Sequence, residues 1–265
     1  MHIKTNGVEL NVDLRGKRDT TLLYLHYWGG SARTWRAVTD ALPDDVAHAA
    51  VDLRGWGDSG KPDAGYGLAD LAADVRGVID ALALERYVLV GHSMGGKLAQ
   101  YMASDRPAGL VGLVLVAPSP PLPLPLATAQ RDAMVRAYDD AASIHATLDH
   151  VLTAGPLPHA LRGQVVEDSL RGAPAAKRAW PRGAMAEDIT DRARRIAVPV
   201  TVVSGELDRV DPPAALRTHL LPFIPHAALE TVPGRGHLLP LEAPEAVAHA
   251  IRRFVGDLTP RLQSA

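Results

Sequence analysis

The stretch "VLVGHSMGGKLAQ", Val88 to Gln100, passes from an unbroken apolar run into a helical pattern through glycines that flank a serine. Apolar residues fill every position from Tyr87 to Val90, as in a strand covered on both faces of a parallel sheet. Leu98 and Met102 then fall on one face of a helix. A strand that gives way at a tight turn to a helix is half of a βαβ unit, and the same alternation recurs along the chain. The other apolar runs are "TLLYLHY" (21–27), "AHAAVDL" (47–53), "GLVLVAP" (112–118) and "PVTVVSGE" (199–206). Between them Leu68, Leu71, Val75, Val78, Ile79 and Leu82 repeat at helical spacing, as do Val247, Ile251, Phe254 and Val255 near the end. The pattern predicts a doubly wound, mostly parallel α/β sheet.

One break interrupts it. The segment "APSPPLPLPLATAQ" (117–130) is rich in proline, and from about Thr128 to about Arg195 the pattern is helical with no clear strand. We therefore expect a core in two parts, 1–118 and 197–265, with a helical cap insertion over 119–196. Leu122, Leu124 and Leu126, interleaved with prolines, are either an extended packed connection or the hinge of a substrate-facing lid.

Composition limits the partners. The chain has 265 residues, 47% of them hydrophobic, enough for one large core. Lys and Arg number 28 against 30 Asp and Glu, a formal charge of -2, so there is no basic footprint for nucleic acid and no polybasic membrane anchor. The absence of cysteine removes disulfides, thiolate nucleophiles and thiolate metal sites. "MHIKTNGVEL" has no signal-like apolar core, and no run approaches the ~20 apolar residues of a membrane span. A cytoplasmic protein with a small-molecule partner is expected; its oligomeric state is not encoded in any feature of the sequence.

The chemistry starts at the quoted turn. Gly91, His92, Ser93, Met94 and Gly95 fit G-x-S-x-G between a strand and a helix, the setting in which small residues let the chain turn sharply and leave the serine hydroxyl exposed. The helix N-terminus brings free N–H groups to the same spot. The alternative is a glycine-rich turn with an incidental serine. A serine nucleophile needs a base and an orienting acid, which should follow in the order serine, acid, histidine, each past the end of a later strand. "TVVSGELDRVDPP" (201–213) offers Glu206, Asp208 and Asp211, and "ALETVPGRGHLLPLEAPEAV" (228–247) places His237 in a glycine-flanked loop. His26 and His92 also lie near strand ends, but neither follows the acid.

With "GHSMGG", "DLRGWGDSGKP" (52–62) and "GRGHLLPLEAPEAV" (234–247), the chain resembles the α/β-hydrolase family over nearly its whole length. The resemblance implies an acid three residues after the strand-end Gly205, which selects Asp208. Laid on "LHYWGG" (25–30), the family's His-Gly-x loop makes His26 the histidine and Trp28 the backbone oxyanion donor, with Met94 as its partner. Tyr27 stands where the family has glycine, so Gly29 and Gly30 are expected to supply the freedom that it lacks. Tyr27, Trp28 and His92 are expected to contact substrate, and packed core aromatics are the alternative for the first two. Haloalkane dehalogenases and epoxide hydrolases of this family carry aspartate at the nucleophile position, so Ser93 argues against an alkyl-enzyme ester. The implied function is hydrolysis of a small to medium, fairly apolar carboxylic ester through Ser93, His237 and Asp208. Lactone opening, C–C bond hydrolysis, hydroxynitrile cleavage, cofactor-free perhydrolysis and a non-catalytic ligand receptor on the same fold stay open. No metal is expected, because His145, His150 and His159 have no i, i+4 spacing, and the implied Ser93 acyl-enzyme route uses no organic cofactor. Arg54, Trp56 and Asp58 read as a hydrogen-bonded turn, with a binding site as the alternative.

Overall fold

All five apolar runs are strands. The computed structural model describes residues 1–16, 19–43 and 46–263, with side chains through 258. Residues 17, 18, 44, 45, 264 and 265 of the two expected core segments lie outside the described residues. The strands are β1 (His2–Thr5), β2 (Val8–Arg15), β3 (Thr21–Leu25), β4 (Ala47–Val51), β5 (Tyr87–His92), β6 (Leu110–Val116), β7 (Val200–Gly205) and β8 (Ala228–Val232). They form one sheet in the order β1-β2-β4-β3-β5-β6-β7-β8. From β4 to β8 every pairing is parallel, while β1–β2 and β2–β4 are antiparallel.

The helices are α1 (Arg36–Asp40), α2 (Leu68–Ala81), α3 (Met94–Ala103), α4 (Thr128–Arg136), α5 (Ala141–Thr147), α6 (His159–Arg171), α7 (Pro174–Arg182), α8 (Thr190–Ala193), α9 (Pro213–His219), α10 (Leu239–Glu242) and α11 (Pro244–Gln263). Strand alternation sorts the core into two layers. Leu23, Leu25, Leu89, Leu113 and Val202 face Val75 of α2 and Leu98 and Met102 of α3. Leu22, Tyr24, Val88, Val90, Val114 and Val203 face Val38 of α1 and Val247 and Ile251 of α11. Both faces of β3 to β7 are thus covered, which is why their sequences run apolar without alternation.

The N-terminal hairpin has a different signature. In β2, Val8, Leu10 and Val12 are buried while Glu9, Asn11 and Asp13 are not, so this strand, covered on one face, alternates and leaves no unbroken apolar run. Asn6 and Gly7, both at positive φ (45° and 74°), make the turn before it.

Between β6 and β7 the described chain holds α4 to α8 and no strand. Among the described residues no helix is long and apolar enough to cross a membrane. The turn after β4 is held from within: Arg54 pairs with the buried Asp74, and Asp52 accepts from Ala32 N–H (2.6 Å), Asp58 N–H (2.9 Å) and Asn11 Nδ2 (2.9 Å). Arg54 and Trp56 are buried and Asp58 pairs with Arg171 of α6, so hydrogen bonds and ion pairs hold this turn, while Gly57 and Asp58 also border a second cavity with Asp168 and Arg171. β3 lies between β4 and β5, so the chain winds outward in both directions from the sheet's middle, and a crevice opens at the carboxyl ends of these strands.

Candidate active site

Ser93 sits where β5 turns into α3, with φ 53° and ψ -114°, a left-handed conformation that a side-chain-bearing residue rarely adopts. Sterics explain the glycines around it. A Cβ on Gly91 would fall 2.3 Å from the Gly95 carbonyl oxygen, and one on Gly95 would fall 2.3 Å from that of Leu25. The N–H of Met94, the first residue of α3, has no partner among the described residues.

The histidine loop crosses from β8 to the same point. His237 N–H donates to the Leu152 carbonyl (2.9 Å), and Glu242 accepts from Gly236 N–H and Ala154 N–H. His237 Nε2 lies 2.9 Å from Ser93 Oγ, and its Nδ1 lies 2.9 Å from Asp208 Oδ2. The carboxylate fixes the tautomer: the ring proton sits on Nδ1, leaving Nε2 to accept from the serine. Asp208 Oδ1 in turn accepts from Val210 N–H (2.8 Å) and Asp211 N–H (3.0 Å).

Of the three carboxylates after β7, Asp208 alone meets His237. Glu206 faces outward and accepts from Gly234 N–H at 2.8 Å. Asp211 lines the cavity, and among the described residues no donor reaches its carboxyl. Burial opposes charge on His237, but Asp208, with Asp211 and Glu242 adding, outweighs it and raises the pKa above the ordinary histidine value. Burial pushes Asp208 up, yet His237 and the two N–H donors hold it below the usual carboxylate range. Asp211 has no such donors, so burial, reinforced by Asp208, pushes its pKa up to about 8.

The loop after β3 presents a second free donor. His26 Nε2 accepts from Leu53 N–H (3.0 Å), which places its ring proton on Nδ1, where it donates to the Tyr27 carbonyl (2.7 Å). Gly30 N–H donates to that carbonyl as well (3.0 Å). The Tyr27–Trp28 peptide is thereby held by its oxygen, and its N–H, that of Trp28, has no partner among the described residues. Tyr27 is not at positive φ. Gly29 is (φ 100°), and a Cβ on Gly30 would meet the Tyr27 ring at 2.5 Å, so the two glycines accommodate the tyrosine.

A cavity of about 580 Å³ lies over Ser93 and His237. Tyr27 and Trp28 line it, together with Leu124, Leu126, Met134, Tyr138, Trp180 and Asp211. His92 corrects the sequence reading. It does not line the cavity; it is wholly buried, its Nε2 donates to the His237 carbonyl (2.8 Å), and burial, reinforced by His237, pushes its pKa down to about 3. A neutral ring behind the histidine loop supports that loop and touches no substrate. Tyr138, Met134 and Trp180 carried no motif; their only signal was membership of the helical segment after the proline-rich stretch. No group of three or more His, Asp or Glu side chains converges as a metal site among the described residues.

The sequence model of the alpha/beta hydrolase family matches residues 22–250. The chain is 29% identical over 264 residues to 2-(acetamidomethylene)succinate hydrolase of Mesorhizobium japonicum, covering 94% of this chain and 92% of that protein. An esterase from Exiguobacterium antarcticum superposes with a TM-score of 0.87 at 22% identity, over 96% of this chain and 98% of the other. Est816, an N-acyl homoserine lactone degrading enzyme, gives a TM-score of 0.79 at 26% identity, over 96% of this chain and all (100%) of the other.

Proposed function

Because this chain belongs to the alpha/beta hydrolase family, we propose that it hydrolyses a small to medium carboxylic ester through an acyl-enzyme on Ser93. One observation carries the reading: an unbroken line from Ser93 Oγ through His237 to Asp208, with both contacts at 2.9 Å, opens into the 580 Å³ cavity. His237 Nε2 takes the Ser93 proton as Oγ attacks the carbonyl, and Asp208 stabilises the imidazolium that forms. The N–H groups of Trp28 and Met94 receive the developing oxyanion. Protonated His237 hands its proton to the leaving alcohol, then takes one from the water that attacks the acyl-enzyme and returns it to Ser93 Oγ as the acid leaves. Residues 119–196 act as a helical cap over the core of 1–118 and 197–265, and their apolar side chains favour an apolar acyl group.

A panel of p-nitrophenyl esters from C2 to C12 tests the reading, with lactones run beside it. Lactone opening is the second reading, favoured by the likeness to Est816, and it uses the same residues. Hydrolysis of at least one ester, with saturation, is expected. No turnover of any ester sinks the primary reading, and lactone turnover alone would establish the second.

The raised pKa of His237 predicts a pH profile. Only the neutral imidazole accepts the serine proton, so kcat/KM should rise along a single ionisation and level off above it. That limb should be centred above the ~6.5 of an ordinary histidine, because Asp208 favours the charged form. A flat profile from pH 5 to 8 would count against His237 as the base.

Trp28 separates two roles. Trp28 lines the cavity while its N–H is the proposed oxyanion donor, so Trp28→Ala should keep the donor and enlarge the pocket. Preference should move to longer acyl chains, with kcat on the best ester falling less than about tenfold. Trp28→Pro removes the N–H and should cost about 10² to 10³ in kcat on every ester. Circular dichroism and melting temperature show whether each variant is folded. An unchanged chain-length preference in Trp28→Ala would make the indole a packing residue, and full kcat in folded Trp28→Pro would move the donor elsewhere.

A further inference from the structure

The loop that carries the Trp28 N–H is held from two sides. From the core, the Tyr27 carbonyl accepts from His26 and from Gly30 N–H. From the segment between β6 and β7, the hydroxyl of Tyr138, in the turn between α4 and α5, donates to the Trp28 carbonyl (2.8 Å) and the Ser169 hydroxyl of α6 donates to the Gly29 carbonyl (3.0 Å). These partners are 110 and 140 residues apart in sequence, and both bonds are buried. Three consecutive carbonyls therefore each accept a side-chain hydrogen bond.

The bonds are mechanically linked. Ser169 holds the oxygen of the Gly29–Gly30 peptide, and the N–H of that same peptide donates to the Tyr27 carbonyl. The Tyr27 carbonyl belongs to the peptide whose N–H is that of Trp28. Tyr138 holds the one peptide in between, and its ring stacks on the Trp28 indole with centroids 4.2 Å apart. At Gly29 (φ 100°) a Cβ would lie 2.5 Å from the Tyr138 ring, so the ring occupies space that only glycine leaves. Next to Ser169, the buried Asp168 accepts from the Ser31 hydroxyl (2.9 Å) and pairs with Arg33, fixing α6 against the same loop.

From this geometry we infer that Tyr138 and Ser169 are positioning residues for the Trp28 oxyanion donor, so that the helices over the cavity and the oxyanion hole are assembled as one unit. The inference rests on the Ser93 acyl-enzyme reading, since it assigns what those helices do for that site. It also separates hydroxyl from ring: packing over the cavity needs the tyrosine ring, whereas aligning the loop needs its O–H.

The test uses Tyr138→Phe, Ser169→Ala and the double variant in the full chain, assayed well below each melting temperature. Losing a whole oxyanion donor costs about 10² to 10³; a donor left in place but loosely held should cost about tenfold in kcat for each single change, and more for the double. KM should stay within about threefold. An alkylboronic acid, whose adduct with Ser93 puts an oxygen in the hole, should lose affinity by the same factor as kcat falls, while the product carboxylic acid should not. Arg162→Gln, which removes the pairing of α6 with Asp149 on an exposed face, should leave all of these unchanged. Wild-type kcat and boronic acid affinity in the folded single variants would overturn the inference. So would a rise in KM with kcat unchanged, which would make the two hydroxyls substrate contacts. If the wild type turns over neither esters nor lactones, the functional reading fails, and the boronic acid affinities still decide whether Tyr138 and Ser169 hold the hole.

Discussion

Ser93→Ala is expected to lower kcat by about 10⁴ to 10⁶ and to abolish covalent labelling by a fluorophosphonate. Among the described residues His237 Nε2 has no other side-chain oxygen within hydrogen-bonding distance, so none of them stands ready as a substitute nucleophile. The change deletes one oxygen and leaves the turn's sterics alone: alanine meets the same left-handed φ as serine, and Gly91 and Gly95 still allow the close approach of β5 and α3. The melting temperature should therefore stay near that of the wild type, which separates lost chemistry from lost fold. The Trp28 and Met94 N–H groups remain, so the residual rate should exceed that in water. Retention of a tenth of wild-type activity, or labelling at another residue, would remove the acyl-enzyme from the account.

The parts of this arrangement that the sequence reveals are those governed by local rules. The turn at Ser93 is legible because its glycines answer to close contacts fixed within the turn and its neighbouring strand, and β3 to β7 are legible because burial on both faces leaves unbroken apolar runs. β1 and β2 escape because strands covered on one face alternate, and the four residues of β1 and eight of β2 resemble any polar segment. His92 is misread for a related reason. It adjoins Ser93, but the sharp turn sends the two side chains to different places, one to the cavity and one behind the histidine loop. Residue type cannot separate Asp208 from Glu206 and Asp211; the choice is made by which carboxylate the turn after β7 aims at His237, and family resemblance anticipated it. Tyr138 and Ser169 are the least legible. Each looks like an ordinary helical residue until tertiary packing carries it more than a hundred positions back to the Trp28 loop.

Asp208→Asn should lower kcat by about 10⁴, whereas Asp211→Asn and Glu206→Gln should each cost less than about tenfold. The difference follows from what each carboxylate touches. Asp208 accepts the Nδ1 proton of His237 and so keeps Nε2 free to accept from Ser93. An asparagine turned to donate at this position would reverse the tautomer and aim an N–H at the serine oxygen. It would also withdraw the charge that raises His237's pKa, so the rising limb of the residual kcat/KM should move to lower pH. Asp211 contributes to the same pKa through space, with no hydrogen bond to the ring. Asp211→Asn should therefore shift the limb in the same direction by less and leave the tautomer in place. Because burial pushes the Asp211 pKa up to about 8, its carboxyl is ionised only in part where His237 titrates, which keeps that shift small, and asparagine resembles its uncharged form closely. Glu206 contacts Gly234 N–H and not the imidazole, so its variant should move neither rate nor limb. A larger loss in Asp211→Asn than in Asp208→Asn, or a limb that moves up in pH when Asp208 is neutralised, would reassign the acid.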